Sequence, residues 1–458
     1  MSKALVTSLF AQSSQTRKLG ESIANSNQNT SISGLVGSSV SLVIATVFKS
    51  MDSPYLVVFN NKEEAAYHLN DLENLLGDQN VLFYPGSYRR PYQIEETDNA
   101  NVLLRSEVLN RINSRKKPAL IITYPEALFE RVITRKELEK NTFKISLGNR
   151  LSIDFVNEVL FEYHFKRTDF VTEPGEFSVR GGILDVFSFS NDEPYRIEFF
   201  GDEVDSIRTF DVETQLSLEL LKKITIIPNV DASATVVTRL SFLEYISSKT
   251  VVFLKNPEIL STGIDKLFKK ATAVYNEGQG EVKMIEPSSL FCSSDLLQKQ
   301  LQKFTSVTFG ASTKETSLQF KTKPQPSFNK QFNLLIENLN ANIDDGYKNY
   351  IFCSSEQQAK RFHDIFDDAD QKVKQYETIV FPLFQGFIDY ENRNVCYTDH
   401  QIFERYHKFQ LKNGYAKKQA ITLKELTNLE VGDYVTHIDH GIGKFGGLQK
   451  IDVEGKKQ

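Results

Sequence analysis

Cysteine is scarce in this 458-residue chain, and Cys292, Cys353 and Cys396 are odd in number and far apart. That excludes a disulfide framework and a C-x-x-C metal clip, and fits a reducing cytoplasm. No apolar run approaches the roughly 20 residues that span a bilayer. The N-terminal MSKALVTSLFAQSSQTRKLG has Gln, Ser and Arg where a signal peptide needs its cleavage region, so it makes a poor leader. Surplus basic charge is missing as well. A formal net charge of −5 argues against a dominant nucleic-acid surface, because phosphate contacts demand clustered Lys and Arg. Arg111, Arg115, Lys116 and Lys117 form one local basic patch, read as a solvated helix end. No Ser, Cys or carboxylate stands in a recognisable nucleophile or acid–base setting, and no residue set has metal-ligand spacing.

What is present is the composition of a soluble globular chain, 40% hydrophobic and 25% charged. At about 100 to 200 residues per domain, the length predicts about three or four domains. From residue 13 to about 125 helical and buried-strand patterns alternate: an amphipathic segment near 13–27, a strand near 30–34, a helix over 39–50 and the strand PYLVVF at 54–59. KEEAAYHLNDLENLL (62–76) sets Ala65, Leu69, Leu72 and Leu76 on one helical face, and VLFYP, another helix and ALIITYP follow. Such βαβ grammar predicts a parallel sheet with helices on both faces. Between about 127 and 213 the pattern changes to short strands separated by Gly-Gly, Asn-Asp-Glu-Pro and Gly-Asp-Glu turns, an antiparallel meander. Mixed α/β sequence returns from 214 to about 320, and KTKPQPSFNK (321–330) reads as a linker. Residues 331–410 form a further small α/β unit. The last stretch, LEVGDYVTHIDHGIGKFGGLQKIDVEGKKQ, is Gly-punctuated β sequence that is expected to be cut in mid-domain.

Residues 34–41, GLVGSSVS, raise the question of nucleotide chemistry. A phosphate-binding loop follows G-x-x-x-x-G-K-[ST], in which backbone N–H groups cradle phosphates and a Lys meets the terminal oxygens. Gly34 and Ser41 fit the ends of that pattern, but Ser39 stands where the second Gly belongs and Val40 where the Lys belongs. The local sequence is equally that of a strand-to-helix turn shaped by Gly34 and Gly37. Asp202-Glu-Val-Asp205 imitates a motor protein's acidic box, yet the preceding Gly201 makes it a hairpin turn. His437 and His440, three residues apart on a β pattern, fall on opposite faces and offer no joint metal site.

The runs VTEPGEFSVRGGILDVF (171–187), YRIEFFGDEVDSIRTFD (195–211) and VGDYVTHIDHGIGKFGGL (431–448) together resemble the bacterial transcription-repair coupling factor family. The first two blocks are similar to the module shared with the excision-repair helicase UvrB, the third to the start of a CarD-like domain that contacts RNA polymerase. The resemblance implies an α/β multidomain fold. It comprises a UvrB-like α/β domain in two parts (1–126 and 214–325), an inserted β-rich UvrA-binding domain (127–213), a small α/β domain (331–410) and a truncated polymerase-interacting domain (425–458). It further implies that Gly34, Gly37, Ser39, Val40 and Ser41 are a degenerate nucleotide loop, with ATP and Mg²⁺ used only by motor domains that this stretch of the family lacks. The chain is then expected to be a docking fragment without catalytic residues or cofactors. It would take UvrA through Arg167, Arg180, Arg196 and Glu198, and the polymerase β subunit through Leu448 and Ile451 on an added strand. Ser178 departs from a further arginine of the UvrB pattern. DNA binding is expected to be weak or absent, and no membrane is involved. The alternative is an active UvrB-like helicase or other NTPase, from which the missing loop Lys separates this chain.

Overall fold

The computed structural model describes residues 2–25, 29–87, 99–114, 117–229, 238–278, 285–310 and 317–405, with four short strands beyond them between 434 and 457. Seven parallel strands build the central sheet in the order Leu318–Gln319, Thr30–Ser33, Ser306–Phe309, Val251–Lys255, Tyr55–Val58, Leu120–Thr123, Val81–Phe83. The tetrapeptides YLVV and LIIT are buried at every position, as parallel strands covered on both faces must be. Helices Ser39–Ser50 and Lys62–Leu76 have the bounds that the apolar periodicity predicts. The second is started by Asn61, whose side chain accepts the Glu64 N–H, and carries Glu63 and Glu64 in its first turn, where the helix dipole favours carboxylates. Its apolar stripe of Ala65, Leu69 and Leu72 is fully buried.

After Thr123 the chain leaves this sheet, and it rejoins it at Val251. The outgoing and returning legs pair with each other, Phe143–Ser146 with Lys223–Ile226 and Val132–Ile133 with Arg239–Leu240. Between the legs lies a six-stranded sheet in the order Ser217–Leu220, Glu203–Phe210, Tyr195–Phe200, Ile183–Val186, Glu176–Arg180, Lys166–Arg167. All its pairs are antiparallel except the last. The meander thus runs past residue 213, because QLSLELL adds an edge strand. Its inner face, with Phe177, Leu184, Ile197 and Ile207, packs on Val156 and Leu160 of helix Ile153–Glu162. The acidic stretch 202–205 is a hairpin: Phe200 pairs with Glu203 around Gly201, whose φ of 61° suits glycine.

The third sheet has the order Thr322–Pro324, Phe387–Asp389, Asn394–Thr398, Lys348–Cys353, Glu377–Val380. Helices Phe332–Asp344 and Glu356–Asp367 cover one face through Leu335, Ile336, Leu339 and Phe362. The expected linker at 321–330 is partly structure: Thr322–Pro324 is an edge strand and Phe328 is buried. A proline is compatible with a strand at the edge, where its missing N–H breaks no ladder, so Pro324 is a poor linker signal. The other face of this sheet, with Phe352, Phe381, Phe387 and Cys396, joins the core of the central sheet, and the Phe387 ring lies 5.9 Å from that of Phe10. All three cysteines are free and buried. Among the described residues no helix is long and apolar enough to cross a membrane.

Candidate docking face and phosphate loop

Alternation along the meander sends Ser178, Arg180, Asp185, Arg196, Glu198, Ser206 and Arg208 to its outer face, since the register sets Ser178 and Arg196 opposite Asp185 and Arg208 opposite Arg196. Asp185 is the hub. Its side chain is only 1% exposed, and it accepts Nε and Nη2 of Arg196 at 2.7 and 2.9 Å together with Nη2 of Arg180. The Arg196 guanidinium also donates to the Gln215 carbonyl and lies 4.5 Å above the Phe210 ring, which packs with Val171 and Phe187 on this side of the sheet. Hydrogen bonding to Asp185, opposed by burial, raises the Arg196 pKa above its already high ordinary value, so this cation is permanent. One row further, Glu198 accepts the Ser206 hydroxyl at 2.7 Å and pairs with Arg208.

Arg180, Arg196 and Glu198 therefore share one face. Arg167 does not join them. It lies on the short edge strand opposite Phe177, which places it on the other side of the sheet, exposed and in no ion pair among the described residues. Arg180 is the accessible member of the group, 42% exposed, with its guanidinium 5.2 Å above the Phe170 ring. Beside the charged rows the edge strand presents Leu216, Leu218 and Leu220 to solvent. Asp185 and Arg208 were not among the expected site residues, although the period-2 pattern of ILDV and SIRTF carries them to this face.

The loop 34–41 joins strand Thr30–Ser33 to helix Ser39–Ser50, as a phosphate loop would. Several of its polar groups are nevertheless spent within the protein. Val36 N–H donates to Ser39 Oγ at 2.9 Å and to Thr322 Oγ1 at 3.1 Å, and Ser38 N–H donates to the Gln385 carbonyl at 3.1 Å. Gln385 N–H returns a bond of 2.9 Å to Ser38 Oγ. Ser41 Oγ, which would hold a magnesium ion in a working loop, lies 2.8 Å from His68 Nδ1, and Val40 is buried in the core. Both glycines are needed for packing: at φ 79° a Cβ on Gly34 would sit 1.9 Å from the Phe320 carbonyl oxygen, and at φ 53° one on Gly37 would sit 2.9 Å from Gln385 Cβ. Under the loop, burial pushes the Asp71 carboxyl up to about 7 against the opposing Ser38 hydroxyl and Phe384 amide, and burial pushes His68 down to about 3. Leu448 and Ile451 lie outside the described residues, as do Arg115, Lys116 and His440.

Two family models match the chain: the UvrB interaction domain over residues 143–231 and the CarD-like/TRCF RID domain over 429–458. The first falls on the meander and the inner pair of legs, Phe143–Ser146 with Lys223–Ile226. Over most of its length the chain is similar to proteins named transcription-repair-coupling factor. That of Bacillus subtilis is 24% identical over 93% of this chain and 42% of the relative, that of Haemophilus influenzae 24% identical over 88% and 40%, and that of Rickettsia prowazekii 23% identical over 90% and 42%. The likeness is to the N-terminal part of these proteins, and the chain spans about two fifths of their length.

Proposed function

We propose that this chain serves transcription-coupled DNA repair as a docking platform, recruiting the excision-repair protein UvrA through the outer face of the meander. The observation that supports this is the coincidence of the UvrB interaction match with a sheet face on which Asp185 holds two guanidinium groups in place. A partner carboxylate meeting Arg180 would add a charge-assisted bond to a cation whose position is already fixed, so little side-chain freedom is lost on binding. Glu198 and Arg208 supply the complementary sign one row away, which sets the register of the partner. Arg167, on the opposite side of the edge strand, contributes only where the partner wraps that edge. The C-terminal β sequence with Leu448 and Ile451 docks the RNA polymerase β subunit by strand addition. The loop at 34–41 takes no part in ATP chemistry, and the platform needs neither ATP nor DNA to hold UvrA.

Surface-plasmon binding of UvrA to the wild-type chain and to Arg180→Ala, with circular dichroism of both, tests the reading. A desolvated charge pair predicts a loss of about 2 to 5 kcal/mol in affinity without unfolding. Equal affinity would remove Arg180 from the interface, and no binding by the wild type would sink recruitment altogether.

A further inference from the structure

We propose that the phosphate loop has become a peptide socket whose ligand is the chain's own segment Phe381–Gly386, and that the small α/β unit serves to close it. The segment connects strand Glu377–Val380 to strand Phe387–Asp389 and reaches across to the central-sheet unit. Its backbone is read group by group there. The Pro382 carbonyl accepts Asn74 Nδ2 at 3.4 Å, Phe384 N–H donates to Asp71 Oδ1 at 2.8 Å, and Gln385 exchanges both its amide and its carbonyl with Ser38. The Ser38 N–H on the Gln385 carbonyl is how a loop amide holds an acceptor, with a peptide carbonyl standing where a phosphate oxygen would, while side chains of Ser38, Asp71 and Asn74 take the segment's other groups. The Phe384 ring stacks on Tyr67 at 3.9 Å between centroids, and Leu383 is buried in the shared core. From the segment's own unit, His400 Nε2 lies 2.8 Å from the Phe384 carbonyl and Gln401 Oε1 accepts Gly386 N–H at 2.7 Å. The ligand is thus braced from behind and bound in front.

The missing Lys and the seated segment fit one another. A lysine at position 40 would place an ammonium in the core beneath a socket that now holds an uncharged peptide, and the buried, apolar Val40 brings no such charge. A peptide-filled socket makes the two α/β units one body and shuts the cradle to anions.

Hydrogen exchange on the whole 458-residue chain tests this. In the wild type, the amides of Ser38, Phe384 and Gln385 should exchange as slowly as those of Tyr55–Val58. Phe384→Ala, and separately Tyr67→Ala from the socket side, should speed exchange at all three by at least about tenfold, with Tyr55–Val58 and Tyr195–Phe200 unchanged. Calorimetric titration of the wild type with inorganic pyrophosphate should show no binding. The proposal is overturned by fast exchange at Ser38 in the wild type, by unchanged exchange there in both variants, by equal acceleration across Tyr55–Val58, or by pyrophosphate binding that protects the Ser38 amide.

Discussion

The outer face of the meander and the loop at Gly34–Ser41 are both dense in hydrogen-bonding groups, and they differ in which side of those groups faces water. On the meander, Asp185 is buried while the arginines it holds reach outward, so the network fixes its cations and still offers them. At the loop, Ser38, Ser39 and Ser41 are fully buried, and the partners of Ser38 and Ser41 come from elsewhere in the same chain. A polar cluster is available to a partner only where its satisfied half is the inner half, and the count of polar groups does not decide this.

The two sites should differ most in what their glycines tolerate. Gly34→Ala puts a Cβ against the Phe320 carbonyl at a left-handed φ, and should cost more than about 3 kcal/mol in urea unfolding. Gly181→Ala, at φ 61° on the meander hairpin with open space around it, should cost about 1 kcal/mol. Equal costs would mean that the loop is no tighter than a surface turn.

Next in size is Asp185→Ala, which leaves the half-buried Arg196 without its carboxylate. Thermal and urea unfolding should show a loss of about 3 kcal/mol, whereas Glu198→Ala, at a more accessible pair, should lose less than about 1 kcal/mol. Similar losses for both would remove Asp185 as the hub.

The buried pair under the loop makes a pH prediction with compensating signs. Asp71 has a folded pKa of about 7 above its ordinary 3.8, so its native form keeps a proton that the unfolded chain releases, and stability falls as pH rises from about 4 to 7. His68, at about 3 against 6.5, is neutral in the native form while the unfolded chain is charged, so stability falls as pH drops from 6.5 towards 3. Between about 4 and 6.5 the two slopes oppose and the wild-type dependence from this pair should be nearly flat. Asp71→Asn should unmask the histidine, with stability rising by up to about 1.4 kcal/mol per pH unit across that window. Parallel wild-type and variant curves from pH 4.5 to 6.5 would refute the opposing titrations. The smallest effect is expected at Arg167→Ala, which should change UvrA affinity by less than about 0.5 kcal/mol, because the residue is exposed and lies across the edge from the other arginines.

Periodicity carried much of the local structure. Ser39–Ser50 and Lys62–Leu76 begin and end where their apolar patterns predict, and the absence of a lysine at position 40 is visible by inspection. What fills the loop was not legible, because Gln385 stands 347 residues from Ser38 and PLFQG has no pattern of its own. The paired prolines of KTKPQPSFNK suggested a linker, but pattern cannot tell a linker from an edge strand that tolerates proline. At the meander, alternation does bring Arg180, Arg196 and Glu198 to one face. Arg167 stands apart from them, since its place depends on a two-residue parallel pairing that no local signal announces.

The seated segment has a consequence for how such a site could change again. Regaining a nucleotide would require a lysine in place of Val40, a glycine in place of Ser39 and the departure of Phe381–Gly386. A lysine alone puts an ammonium where the core now buries Val40, at a cost of several kcal/mol, and release of the segment alone uncovers Leu383 and Phe387. Each first step is uphill, so the loop behaves as a one-way valve: once a peptide occupies the cradle, selection acting on single substitutions holds it there.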